Sequence, residues 1–202
     1  MQAWTPQQLA RPRKGDRTRE RLYRAALDEF RDAGFEHASV GRIASRAGTS
    51  RAAFYFHFPC KEAVLLDLQW RTEVEIVERT RSRTTLRDFL TELVDALIAQ
   101  EASFLSPDLM RDMLSVYIRP PAGLDLSAQP FPLLNEVGRR FTQAKERELR
   151  PGLEPVQATD LFLTSLFGAL VSWSGPIASR RHDLLQLASL FLAGAPDTAR
   201  AG

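Results

Sequence analysis

The chain has 202 residues, 44% of them hydrophobic and 26% charged, a soluble globular balance that excludes a largely disordered chain and leaves room for a small module joined to a larger one. No stretch reaches the roughly 20 apolar residues a bilayer-spanning helix needs, and the N-terminal "MQAWTPQQLARPRKGDRTRE" lacks the apolar run of a secretory leader, so a cytoplasmic protein without a membrane partner is expected. Net charge is only +2, but residues 1–61 carry 12 Lys and Arg against 6 Asp and Glu, while the remainder carries 15 against 19; a basic first third on an acidic remainder fits a nucleic-acid module joined to something that avoids polyanions, or simply a set of solvated Arg-rich helices.

Residues 1–15, with Pro6, Pro12, Arg11, Arg13 and Lys14, read as a flexible basic arm. A helix then starts near Asp16 or Thr18: Leu22, Ala25, Ala26, Phe30 and Ala33 recur at helical spacing, and Gly34 is placed to end it. Ser39 is the expected cap of a second helix whose apolar stripe is Val40, Ile43, Ala44 and Ala47 and whose stop is Gly48. Thr49 or Ser50 caps a third, from Arg51 to about Phe58, ended by Pro59. Two helices of about two turns are too short to hold themselves in water and must be fixed by packing. Two short helices joined by a four-residue turn containing Gly are helix-turn-helix grammar. Beyond Lys61 strand signals are nearly absent, and helices are expected at about 61–81, 86–104, 107–118, 131–149, 155–173 and 182–194, for about nine in all.

The stretch "AALDEFRDAGFEHASVGRIASRAGTSRAAFYFHFPCKEAVLL" carries "F-x-x-x-G-F", "S-V-x-x-I-A-x-x-A-G-x-S", "Y-x-H-F" and "K-E-x-V-L" in fixed order. Residues 18–66 resemble the DNA-binding domain of the tetracycline-repressor (TetR/AcrR) family of bacterial transcriptional regulators. Phe54 stands where Leu is common, Thr49 where Val is common, and Cys60 where a small polar residue is usual; the first two keep bulk or branching. The resemblance implies an all-α fold: a three-helix helix-turn-helix domain at 16–60, then a helical bundle at 61–202 for ligand binding and dimerisation.

By that resemblance Thr49, Ser50, Arg51 and Ala52 sit where base edges and phosphates are met, and Tyr55, His57 and Lys61 where the DNA backbone is held. The chemistry agrees. Arg51 suits a bidentate contact to guanine O6 and N7, Ala52 a thymine methyl, and the Tyr55 hydroxyl a phosphate. Ser39 and Arg42 offer a second phosphate grip. Phe54 and Phe58, four residues apart, are core side chains that hold the helix down. His57 and Cys60 supply two ligands where zinc requires three or four, and no third group orients them for nucleophilic chemistry, so no metal, cofactor or catalytic residue is expected.

In the larger part, Trp70, Phe89, Leu93, Leu97, Phe104, Met110, Met113, Tyr117, Phe141 and Phe162 are pocket candidates by helical phase and by resemblance, with plain core as the competing reading of each. The apolar terminal pair "LFLTSLFGALVSW" and "DLLQLASLFLAGA" needs a cover, and the resemblance makes it a dimer interface through Leu163, Phe167, Leu170, Leu184, Leu187 and Phe191; packing within one chain is the alternative. The expectation is a homodimeric repressor that binds double-stranded DNA at a near-palindromic operator and is released by a small hydrophobic effector. An architectural or cell-division factor without an effector is the alternative, and an enzyme using His57, Tyr117 or His182 a remote third.

Overall fold

The computed structural model describes residues 17–103, 107–118, 131–144, 147–172 and 177–194. Among them are nine helices: α1 (Arg17–Ala33), α2 (Val40–Arg46), α3 (Arg51–His57), α4 (Glu62–Thr80), α5 (Leu86–Ser103), α6 (Pro107–Ile118), α7 (Pro132–Gln143), α8 (Pro155–Ser172) and α9 (Ile177–Ser189). Extended pairing among the described residues is confined to one antiparallel bridge between Leu149 and Leu192. The fold is all-α, as the apolar periodicity predicts.

The described residues divide into two compact units, one holding those up to Thr72 with those from Asp108 to Ile118, the other those from Glu73 to Pro107 with those from Phe131 onward. In the first, α1 packs on α2 and α3, and α2 on α3. Leu22, Ala26, Ile43, Phe54 and Phe58 are sealed from solvent at its centre. The unit runs past residue 60 because Ala63, Val64, Leu65 and Leu66 of α4 are also fully buried.

In the second unit α7 packs on α8, and α9 on both α5 and α8. Its centre is an aromatic cluster in which the Phe162 ring lies 5.7 Å from Phe141 and 5.4 Å from Phe191, edge against face. Two helix starts here are capped from far away in sequence. Glu73 Oε2 accepts the Leu133 amide at 3.1 Å, and Glu148 Oε1 the Leu86 amide at 3.2 Å. At the end of α4, the Arg140 guanidinium donates to the carbonyl oxygens of Thr80 at 3.2 Å and Arg81 at 3.1 Å, satisfying orphan acceptors of the last turn.

Two helix limits differ from the periodic pattern. α7 stops at Gln143 rather than near 149, and α9 spans Ile177–Ser189 rather than 182–194. The bridge accounts for the early C-terminal ends: Arg150 N donates to Phe191 O at 2.9 Å and Ala193 N to Glu148 O at 2.9 Å, so these segments spend backbone groups on each other instead of on another helical turn.

Candidate nucleic-acid interface

Each short helix of the first unit is started by a serine. Ser39 Oγ accepts the Arg42 amide at 3.2 Å and Ser50 Oγ the Ala53 amide at 3.1 Å, from extended backbone at both caps. Of the two cap candidates before α3, Ser50 takes the role, while the Thr49 amide donates to Ala44 O at 2.9 Å and closes the turn. Gly48 makes that turn with φ +61°, a left-handed geometry that disfavours any side chain.

The faces of α3 then separate cleanly. Phe54 is fully buried and its ring lies 5.7 Å from Phe58, the buried residue that ends the helix. On the other side Arg51 and Ala52 are exposed, Tyr55 is 46% and Phe56 71% exposed, and the Phe56 ring stands edge-on to His57 at 5.0 Å. A helix glued by one face and presenting Arg, Ala, Tyr and Phe on the other has the form needed to enter a groove about 12 Å wide.

The remaining site candidates are placed differently. Ser39 and Ser50 are occupied as caps. Arg42 pairs through Nε with the buried Glu29 carboxylate and donates from Nη2 to the His37 carbonyl at 2.5 Å. Lys61 Nζ donates to the carbonyl oxygens of Phe35 at 2.8 Å and Glu36 at 2.9 Å, and lies 4.6 Å from the Phe35 ring centre. Both residues therefore brace the α1–α2 loop, a role that motif position does not show. Burial pushes the Cys60 thiol up to about 11, which leaves it a poor nucleophile near neutrality. Among the described residues no three His, Cys, Asp or Glu side chains gather as metal ligands.

Arg21 is a residue the motif reading missed. It is exposed on α1, its Nη1 is 3.9 Å from where a Cβ on Gly48 would stand, and among the described residues it has no hydrogen-bond or ion-pair partner. Arg51 is likewise uncommitted, with its Cδ 4.0 Å from a Cβ built on Gly41. By contrast, Arg24, Arg31, Arg42 and Arg46 all hold acidic partners. Local spacing accounts for only part of this contrast: Arg24 and Arg31 have acids three or four residues away on their own helix, whereas Arg42 and Arg46 find Glu29 and Asp32 across the α1–α2 contact.

For the pocket candidates, Phe89, Leu93, Phe141 and Phe162 are fully buried in the second unit, Leu97 is half-buried there, and Met113 is buried and Trp70 half-buried in the first. Core packing accounts for Phe141 and Phe162, which close on each other and on Phe191. Phe104 and the side chains of Met110 and Tyr117 lie outside the described residues. Of the dimer candidates, Leu163, Leu170, Leu184 and Phe191 are buried within the chain's own core, and only Phe167 and Leu187 stay half-exposed. Exposed apolar side chains on α8 are instead Val156 at 72% and Leu161 at 53%, the outward residues of a helix whose inward stripe is already spent.

Residues 22–68, which span α1 to the first half of α4, match the family of bacterial regulatory proteins, tetR family. Over 113 residues the chain is 32% identical to the HTH-type transcriptional regulator YdgC of Bacillus subtilis, a match covering 54% of this chain and 58% of that protein. The likeness to the tetR family is carried by this helix-turn-helix segment, and the chain spans about 58% of the length of YdgC. The fold extends the likeness beyond the matched segment. Salmonella enterica GusR superposes with a TM-score of 0.68 at 23% identity over 88% of this chain and 95% of GusR. The TetR-family repressor FadR of Thermus thermophilus, solved with lauroyl-CoA, superposes at 0.58 and 24% identity over 84% of this chain and 92% of its own. No helix among the described residues is long and apolar enough to cross a membrane.

Proposed function

We propose that the protein is a homodimeric repressor that reads a near-palindromic operator with α3 and leaves it when a small hydrophobic effector binds the helical bundle. The observation that carries this reading is the outward face of α3: Arg51, Ala52, Tyr55 and Phe56 are exposed, Phe54 and Phe58 anchor the other side, and the two uncommitted arginines, Arg51 and Arg21, flank the turn. In this reading Arg51 and Ala52 meet base edges, Thr49, Tyr55, His57 and Arg21 meet phosphates, and Ser39, Ser50, Arg42 and Lys61 hold the reading surface in shape.

The domain roles follow: residues 1–15 are a basic arm, the helix-turn-helix reads DNA, and the larger part binds effector and partner. Homodimerisation is assigned to the surface of α8 that leaves Val156 and Leu161 exposed, with the half-exposed Phe167 and Leu187 contributing. Thermus FadR, described with lauroyl-CoA, supports an apolar effector because it is a protein of this fold that holds an acyl chain. In this reading the protein acts in the cytoplasm, where such a regulator meets its DNA.

Selection from a randomised duplex pool tests the reading. A two-headed reader enriches half-sites whose centres lie about one helical turn, 10–10.5 base pairs, or a multiple of it apart. A pool without enrichment, or enrichment of a single unpaired half-site, contradicts it.

A further inference from the structure

The first unit contains a buried charge cluster that the DNA-reading surface does not use. Asp67 of α4 is fully buried, and its Oδ2 accepts Arg19 Nη1 from α1 at 2.8 Å. The Arg19 guanidinium lies 4.6 Å from the centre of the Phe58 ring, and Phe58 touches Phe54, so the pair stands directly behind the anchored face of α3. One turn along α4, Arg71 divides its donors: Nη1 reaches Glu20 Oε2 on α1 at 2.8 Å, while Nη2 reaches Asp67 Oδ2 at a longer 3.4 Å. Its guanidinium rests 3.9 Å from the Tyr23 ring centre.

Two buried atoms of this cluster lack a hydrogen-bond partner, Asp67 Oδ1 and Arg71 Nε. They are an acceptor and a donor on residues four apart on the same helix. A side-on pairing of the Arg71 fork with the Asp67 carboxylate satisfies both, at the expense of the Glu20 contact. Glu20 is then left with solvent and with Arg24, which already reaches it at 3.0 Å. Each arrangement satisfies what the other leaves open, the condition for a side chain with two seats.

We propose that Arg71 is a clasp between α1 and α4, and that its hold on Glu20 keeps the helix-turn-helix in the orientation that binds DNA. Moving Arg71 onto Asp67 frees α1 from α4 at this point while the Arg19–Asp67 pair stays as the pivot. Glu20 and Arg71 are thus positioning residues that need touch no DNA. The proposal rests on the DNA-reading function above, and its test separates the two.

The probe is the duplex that the wild-type protein selects from a randomised pool, with affinity read by fluorescence anisotropy over a range of salt and stability read by thermal unfolding. Glu20 is partly exposed, so Glu20→Gln is expected to fold with a midpoint close to wild type. Its expected effect is roughly a threefold to tenfold weaker affinity, because only the clasped fraction binds. The slope against salt is unchanged, since no phosphate contact is lost. Arg71→Lys, which keeps charge but loses the fork, behaves the same way. Arg24→Ala leaves the clasp in place and matches wild type.

A second readout needs no DNA. With nitroxide labels at positions 28 and 72, both in the first unit, in a Cys60→Ser background, Glu20→Gln broadens the distance distribution between α1 and α4. An affinity within twofold of wild type for Glu20→Gln, a salt slope altered by a whole charge, or an unchanged distance distribution overturns the clasp. If the wild-type protein selects no sequence, the DNA-reading account fails and the distance measurement alone decides the clasp.

Discussion

Lys61 reaches back 26 residues to place its ammonium 2.8 Å from the Phe35 carbonyl oxygen and 4.6 Å from the centre of the Phe35 ring. A lysine so bound is first a brace of the α1–α2 loop. Lys61→Met is expected to lower unfolding free energy by about 1.5–3 kcal/mol, the range for hydrogen bonds to a charged group, measured by urea denaturation. The same variant weakens binding to selected and scrambled duplexes by similar factors. A variant as stable as wild type shows that the brace contributes nothing.

Arg51 and Arg21 are uncommitted for different purposes. Arg51→Ala is expected to cost about 1–3 kcal/mol of discrimination at one base pair of the half-site while binding to other sequences changes little. Arg21→Ala lowers affinity for all duplexes alike and reduces the salt slope by about one. Equal effects of the two on discrimination contradict this division, as read by competition anisotropy against a set of single-substitution duplexes.

Two glycines of the helix-turn-helix answer oppositely to a methyl group. A Cβ on Gly41 meets Ser39 Oγ at 3.9 Å and Arg51 Cδ at 4.0 Å, ordinary contacts, so Gly41→Ala is expected to stabilise by about 0.5–1 kcal/mol through helix propensity. Gly48 has φ +61°, and Gly48→Ala is expected to destabilise by about 1–2 kcal/mol. Thermal unfolding of both variants checks the contrast.

Hydrogen bonds from Arg79 and Arg83, with Arg79 contributing most, hold the Glu92 carboxyl below its usual 4.5. Burial works against Glu136, yet hydrogen bonds from Arg139 and Arg140 outweigh it and also hold that group low. A carboxylate with a depressed folded-state pKa adds stability that is complete above the unfolded value and disappears as the pH falls through the folded one. The melting temperature is therefore expected to be level above about pH 5 and to fall below 4.5, with a shallower fall in Glu92→Gln and convergence of the two proteins at the acid end. Equal acid sensitivity of variant and wild type contradicts the assignment.

The Cys60 thiol, pushed up to about 11 by burial, is expected to react slowly with iodoacetamide at pH 7 and to accelerate about tenfold per pH unit up to pH 9. A rate that already bends over near pH 8.5–9 shows a thiol with its ordinary pKa instead.

The first three helices were legible in the sequence because their signals are local. Ser39 and Ser50 cap helices that begin one residue later, Gly48 turns the chain between them, and the four-residue spacing of Phe54 and Phe58 puts both on one face. What it did not show depends on partners far along the chain. Arg19 and Asp67 are 48 residues apart, Arg71 and Glu20 are 51 apart, and Leu133 takes its cap from Glu73 across 60. The same holds for Lys61, whose motif position suggests a phosphate while its ammonium faces two carbonyls. On the apolar terminal helices, hydrophobicity alone did not distinguish Leu163, Leu170, Leu184 and Phe191, spent on the chain's own core, from Val156 and Leu161, which remain outside it.

Sequence-specific DNA reading by α3 is the central claim, and the ratio of affinities for the selected duplex and a scrambled one of equal length tests it most directly. At physiological salt the account predicts a preference of at least about a thousandfold, with both affinities falling steeply as salt rises. Equal affinity for the two duplexes contradicts it.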